Sequence, residues 1–170
     1  MGAKPYRNIN VDESTEKVIA VLGSTGVGKS SFINSLTGKN ECRIGNSHTS
    51  TTKELKIIDF QFQGIKYYII DTPGLYDSDD QEGEIISTLK ELREYPRIST
   101  FLLCFKYNEI KLSKIVKNSL KTFMDIFPAT NFWDHALIVY TWTQLGDAQL
   151  ENHKRKYGGG FLKAIKDDNE

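Results

Sequence analysis

Eight consecutive residues, Gly23-Ser24-Thr25-Gly26-Val27-Gly28-Lys29-Ser30, fill the pattern G-x-x-x-x-G-K-[ST] and constrain this 170-residue chain more than any other stretch. The pattern has meaning only between a strand and a helix. Residues 17–22 read as a buried strand, and residues 30–36 read as the first turns of a helix, so the context is present. In such a loop the glycines allow close wrapping, and the backbone amides from Ser24 through Ser31 (Ser24, Thr25, Gly26, Val27, Gly28, Lys29, Ser30, Ser31) turn toward phosphate oxygens. The helix start adds unpaired N–H donors and the positive end of a dipole. Lys29 is placed to reach β- and γ-phosphates, and the Ser30 hydroxyl to coordinate Mg²⁺. A glycine-rich turn carrying Lys-Ser by chance is the competing explanation, and four fixed positions in the required context weigh against it. The implied ligand is a nucleoside triphosphate.

Further along, residues 37–53 are polar and read as a long surface loop, with the cluster Ser47-His48-Thr49-Ser50-Thr51-Thr52 inside it. Residues 55–62 and 65–70 read as strands joined by Gln63-Gly64, a hairpin turn. The second strand runs into Asp71-Thr72-Pro73-Gly74. Helical patterns follow at 82–93, 111–127 and 148–157, with buried strands at 100–105 and 136–140. Strands alternating with helices point to a mostly parallel α/β sheet with helices on both faces. Two residues are too few for a parallel crossover, so one edge strand must run antiparallel. This order of phosphate loop, Thr-bearing loop, hairpin and Asp-x-x-Gly is that of GTPases related to Ras.

Each motif residue then has an expected task. Ser30 supplies a direct Mg²⁺ ligand and Asp71 holds a metal-bound water. A threonine of the polar loop adds a ligand when γ-phosphate is present; Thr49 is favoured, then Thr52, with Thr51 also within reach. The alternative for that cluster is a solvated loop without a ligand role. The Gly74 N–H approaches the γ-phosphate, unless Pro73-Gly74 is a plain turn. Leu75 follows where a glutamine would orient the attacking water, so intrinsic hydrolysis is expected to be slow. Arg43, Arg93 and Arg97 are candidates for an arginine supplied across a dimer. After the strand at 136–140, Thr141-Trp142-Thr143-Gln144 occupies the base-reading position. Gln144 offers one acceptor and one donor where an aspartate would offer two acceptors. Trp142 either stacks on the base or packs in the core.

Composition excludes several classes. Lys+Arg and Asp+Glu balance at 22 each, so no net field draws the chain to nucleic acid or an anionic membrane. No apolar run is long enough to span a bilayer, and no basic-then-apolar leader is present. Met1-Gly2 suggests myristoylation, but Tyr6 stands where Ser or Thr is wanted. Cys104 lies in an apolar run and reads as a buried thiol. His48, His135 and His153 show no metal-ligand spacing. The chain reads as a cytoplasmic domain of residues 17–170 after an extension of residues 1–16.

With Gly23 to Ser31, the stretch around Thr49, Ile69-Ile70-Asp71-Thr72-Pro73-Gly74-Leu75-Tyr76-Asp77 and Tyr140-Thr141-Trp142 in view, the chain resembles the paraseptin GTPases. These are the avirulence-induced (AIG-type) and immunity-associated nucleotide-binding proteins, with the plastid import receptors as cousins. The resemblance covers residues 17–145 and implies a P-loop G domain, GTP and GDP binding with Mg²⁺, and a nucleotide-dependent homodimer. It also implies tethering to intracellular membranes by segments outside the G domain. Gln144 departs from the family pattern and weakens guanine selectivity. A last apolar strand is not identifiable before Glu170, so the chain reads as truncated at its C-terminus. Two other functions compete: an oligomerising scaffold locked by nucleotide with negligible hydrolysis, and a P-loop ATPase.

Overall fold

The computed structural model describes residues 12, 14–42, 55–74, 82–95, 98–107, 120, 121, 123–125, 127 and 134–141. Five strands and two helices run in the order β1 (Glu16–Leu22), α1 (Lys29–Thr37), β2 (Lys56–Phe62), β3 (Ile65–Asp71), α2 (Glu82–Arg93), β4 (Ile98–Lys106) and β5 (Ala136–Thr141). They form one sheet in the order β2-β3-β1-β4-β5. β3, β1, β4 and β5 are parallel, and β2 pairs antiparallel with β3. The hairpin turn forms at Gln63-Gly64 with both residues at positive φ, 50° and 79°, the conformation that suits the twist of the flanking strands.

The alternation of side chains divides the core into two layers. Val18, Ala20 and Leu22 of β1, Tyr68 and Ile70 of β3, and Phe101 and Leu103 of β4 face one side. There they meet Leu92 and Tyr95 from α2 and its end, and Leu120 and Phe123. Phe101 packs edge-on to Phe123 at 4.9 Å and Phe127 at 5.5 Å, so part of the pattern read at 111–127 is seated in the core. Val21, Ile69, Leu102 and Cys104 face the other side, against Ile33 of α1, Val27 and Cys42. Helices therefore cover both faces of a doubly wound sheet.

Several boundaries differ from the sequence reading. β1 begins at Glu16, one residue before the strand read at 17–22. α1 begins at Lys29 rather than Ser30, with Gly28 as its left-handed cap at φ 97°. β4 is longer at both ends than the apolar run at 100–105. The polar stretch at 37–53 is not a free loop from its start. Gly38 ends α1 at φ 68°, and the following residues lie along β2. Lys39 Nζ donates to the Asp59 carbonyl (2.6 Å), Lys56 Nζ donates to the Glu41 carbonyl, and Cys42 is buried. These contacts cover part of the outer edge of β2, which would otherwise present unpaired backbone groups.

Candidate functional site

The carboxyl ends of β1, β3, β4 and β5 meet at one edge of the sheet. β1 lies between β3 and β4, so the chain leaves it where the strand order reverses, the crevice in which open α/β sheets bind ligands. The phosphate-loop residues 23–30 leave β1 at that point. Gly23 is there for a steric reason as well as a conformational one. A Cβ on it would lie 2.6 Å from the Cys104 carbonyl oxygen, and its φ is 153°. Gly26, at φ 69°, faces open space instead.

Lys29 is buried at the start of α1, and its Nζ donates to the carbonyls of Gly23 and Ser24, both at 2.9 Å. The ammonium thus spans the mouth of the loop. The first intrahelical bond runs from the Phe32 N–H to the Gly28 carbonyl at 2.9 Å. Ahead of it, the amides of Ser30 and Ser31 have no intrahelical acceptor, which is the donor arrangement an anion takes up.

Ser30 and Asp71 come together from 41 residues apart: Ser30 Oγ donates to Asp71 Oδ2 at 2.9 Å. Asp71 is 1% exposed, and its Oδ1 is buried without a hydrogen-bond partner among the described residues. The Cys42 thiol, a weak donor, lies against the same carboxylate. Burial pushes the Asp71 pKa above the ordinary carboxylate value, opposed by the Ser30 hydrogen bond and the Lys29 charge. Burial, with the Asp71 charge beside it, pushes the Cys42 thiol up to about 12, so it stays protonated. Thr72 Oγ1 donates to the Val21 carbonyl at 2.7 Å and ties the end of β3 to β1; Pro73 and Gly74 follow, half-buried.

On the other flank, Thr141 ends β5 with its hydroxyl toward the carbonyls of Val27 and, at 3.1 Å, Phe105. This links the phosphate loop to the position expected to read the base. A cavity of about 350 Å³ adjoins that link, lined by Gly28, Ser31, Phe32, Ser35, Tyr140 and Thr141.

The structure thus brings Ser24, Thr25, Gly26, Val27, Gly28, Lys29, Ser30, Ser31, Asp71, Gly74 and Thr141 to one edge of the sheet. Thr49, Thr51, Thr52, Leu75, Trp142, Gln144, Arg43 and Arg97 lie outside the described residues. Arg93 is exposed in the last turn of α2. Cys104 is a buried free thiol, as is Cys42. Among the described residues there is no cluster of three or more His, Cys, Asp or Glu side chains able to hold a metal. Sequence reasoning did not find the position of Cys42 against Asp71, or the buried Asn34 that holds Cys42 from α1. An asparagine amid the buried face of a helix is the one signal available for it.

The chain is 33% identical over 113 residues to the tRNA modification GTPase MnmE of Francisella tularensis subsp. novicida, covering 65% of this chain and 24% of that protein. It is 33% identical over 128 residues to translocase of chloroplast 108 of Physcomitrium patens, covering 72% of this chain and 12% of that protein. The chain therefore spans a quarter or less of the length of these relatives. The fold superposes on Toc33 from Arabidopsis thaliana in complex with GDP and Mg²⁺ with a TM-score of 0.74 at 24% identity, covering 89% of this chain and 62% of that one. A further structure, with a TM-score of 0.73, bears on the importance of dimerisation for the GTPase activity of the chloroplast translocon components atToc33 and psToc159. The sequence profile of the 50S ribosome-binding GTPases matches residues 18–129, and this chain belongs to that family of P-loop GTPases.

Proposed function

We propose that the chain binds GTP and GDP with Mg²⁺ and hydrolyses GTP slowly, as the G domain of a nucleotide-dependent switch that pairs with a second copy. The observation that carries this reading is the Ser30–Asp71 contact beside a buried, unpartnered carboxylate oxygen. An unsatisfied buried oxygen costs about 1–3 kcal/mol, and a hydroxyl plus a carboxylate is an oxygen donor set suited to a hard divalent cation. These residues fit Mg²⁺: Ser30 would hold it directly and Asp71 through water. When bound, the ion neutralises charge on the phosphates.

Lys29 now spends its hydrogen bonds on two loop carbonyls, and a triphosphate between loop and helix gives its ammonium phosphate oxygens as partners instead. The amides of Ser30 and Ser31 orient the phosphates. Thr49 adds a metal ligand in the triphosphate form, and the Gly74 N–H approaches the γ-phosphate. Gly74 lies two residues after Thr72, whose hydroxyl ties the end of β3 to β1. Thr141 fixes the base side of the phosphate loop, and Trp142, next in sequence, stacks on guanine. The finer kinship is with the AIG-type proteins and their cousins the chloroplast import receptors; the similarity to a chloroplast translocase supports the second of these. The importance of dimerisation for the GTPase activity of atToc33 and psToc159 supports pairing with a second copy. No helix among the described residues is long and apolar enough to cross a membrane.

Displacement of fluorescent GDP tests the reading: GTP competes and ATP does not. Equal competition by ATP makes the chain an ATPase instead. Leu75 also fits a second reading, a scaffold locked by nucleotide, because leucine holds no attacking water. Single-turnover hydrolysis that accelerates with protein concentration supports the dimer-activated enzyme, and a flat near-zero rate supports the scaffold.

A further inference from the structure

One turn below Ser30, α1 makes a second polar contact that the nucleotide chemistry above does not use. Asn34 is 8% exposed. Its Nδ2 donates to the Cys42 carbonyl at 2.9 Å, and the Cys42 N–H donates to its Oδ1, also at 2.9 Å. A single amide thus satisfies both backbone groups of one residue, as a neighbouring strand would.

Ser30 and Asn34 are four residues apart and share a face of α1. Ser30 holds Asp71 by its Oδ2, Asn34 holds Cys42, and the Cys42 thiol lies against the Asp71 carboxylate. The three contacts close a ring, with the helix as its rigid side. Beyond the Ser30 hydrogen bond, the Asp71 carboxylate has the weak Cys42 thiol donor beside it, and its Oδ1 is buried without a partner among the described residues. The Cys42 side chain is therefore the wall that limits that rotation, and Cys42 is held by Asn34.

We propose that Asn34 is a positioning residue for the divalent cation: by clamping Cys42 against Asp71 it sets the carboxylate pose in which Ser30 and Asp71 serve one metal ion. The proposal rests on the reading that this site binds guanine nucleotide with Mg²⁺. Loss of the clamp leaves the phosphate contacts of Lys29 and the loop amides in place. Mg²⁺ dependence changes, while nucleotide binding without the ion does not.

The test is the release rate of a fluorescent GDP analogue, measured against Mg²⁺ concentration and in excess EDTA. In Asn34→Leu, close in size and without the amide, the Mg²⁺ concentration for half-maximal slowing of release rises about tenfold. Release in EDTA stays within about twofold of the unmodified chain. Cys42→Ala keeps the backbone clamp but removes the wall itself, so it shows a shift of comparable size in the same direction. Cys42→Ser, which restores a polar group of similar size, recovers most of it. The double variant Asn34→Leu/Cys42→Ala is no worse than Asn34→Leu alone, because both act through one contact. Hydrogen exchange at the Cys42 amide reports the clamp without nucleotide: it is slow in the unmodified chain and fast in Asn34→Leu. Should Asn34→Leu fail to fold, the two Cys42 variants decide the matter. An unchanged Mg²⁺ half-effect in Asn34→Leu or, in that case, in Cys42→Ala overturns the proposal. So does a loss of thermal stability with equal acceleration of release in Mg²⁺ and in EDTA, which marks Asn34 as structural only. If the unmodified chain shows no guanine nucleotide binding at all, the proposed function falls and takes this inference with it.

Discussion

Gly23→Ala is the substitution whose effect is best fixed by the geometry. The new Cβ would stand 2.6 Å from the Cys104 carbonyl oxygen and 3.0 Å from Val27 Cγ1. The first neighbour is backbone of β4, whose Leu103, Cys104 and Phe105 are in register with Ile138, Val139 and Tyr140 of β5. It cannot retreat without disturbing two strand pairs, so the loop must move by roughly half an ångström or more to regain normal separation. Overpacking of this kind costs about 1–3 kcal/mol. Holding alanine at φ 153° adds about 1–3 kcal/mol. The sum, about 2–6 kcal/mol, lowers the melting temperature of a domain this size by roughly 4–24 °C. Gly38→Ala is the control, since it has positive φ (68°) but open space around it, and its cost is the backbone term alone, about 1–2 kcal/mol. Urea unfolding without nucleotide, so that ligand linkage does not contribute, measures both. If Gly23→Ala unfolds within about 0.5 kcal/mol of Gly38→Ala, the close approach to Cys104 is not what demands glycine, and the argument fails.

Lys29→Ala removes a charge-assisted contact worth about 1.5–3 kcal/mol, and Ser30→Asn removes the metal-facing hydroxyl; calorimetric titration should show GTP–Mg²⁺ affinity falling by roughly tenfold to a hundredfold in each. Thr141→Val, which loses the hydrogen bond to the Val27 carbonyl, should cost about 1 kcal/mol of nucleotide affinity, and unchanged binding would mean the link only shapes the strand end. Trp142→Ala should weaken GTP and GDP alike by about 1–3 kcal/mol; normal GDP binding with reduced thermal stability would make Trp142 a core residue.

The strand–loop–helix around Lys29, the hairpin at Gln63-Gly64 and the acidic end of β3 were legible from local pattern, because glycine spacing, turn chemistry and period-two alternation are properties of neighbouring residues. The antiparallel edge strand followed from the two-residue turn alone, since no parallel crossover is that short. Ser30 and Asp71 were each legible as metal-side residues, but their direct contact across 41 positions depends on β3 pairing in register with β1, Asp71 opposite Val21. Thr141 reaching Val27 across 114 positions depends on β5 joining β4 at the far side of the sheet. Gly23 shows the division within one residue. The sequence marks it as the first glycine of a phosphate loop, and only the packing of that loop on β4 shows that its hydrogen makes room for a carbonyl oxygen. The Asn34–Cys42 clamp had no local pattern to announce it: a buried amide finds its partners only after the chain beyond Gly38 has folded back along β2, and that path is set by tertiary contacts.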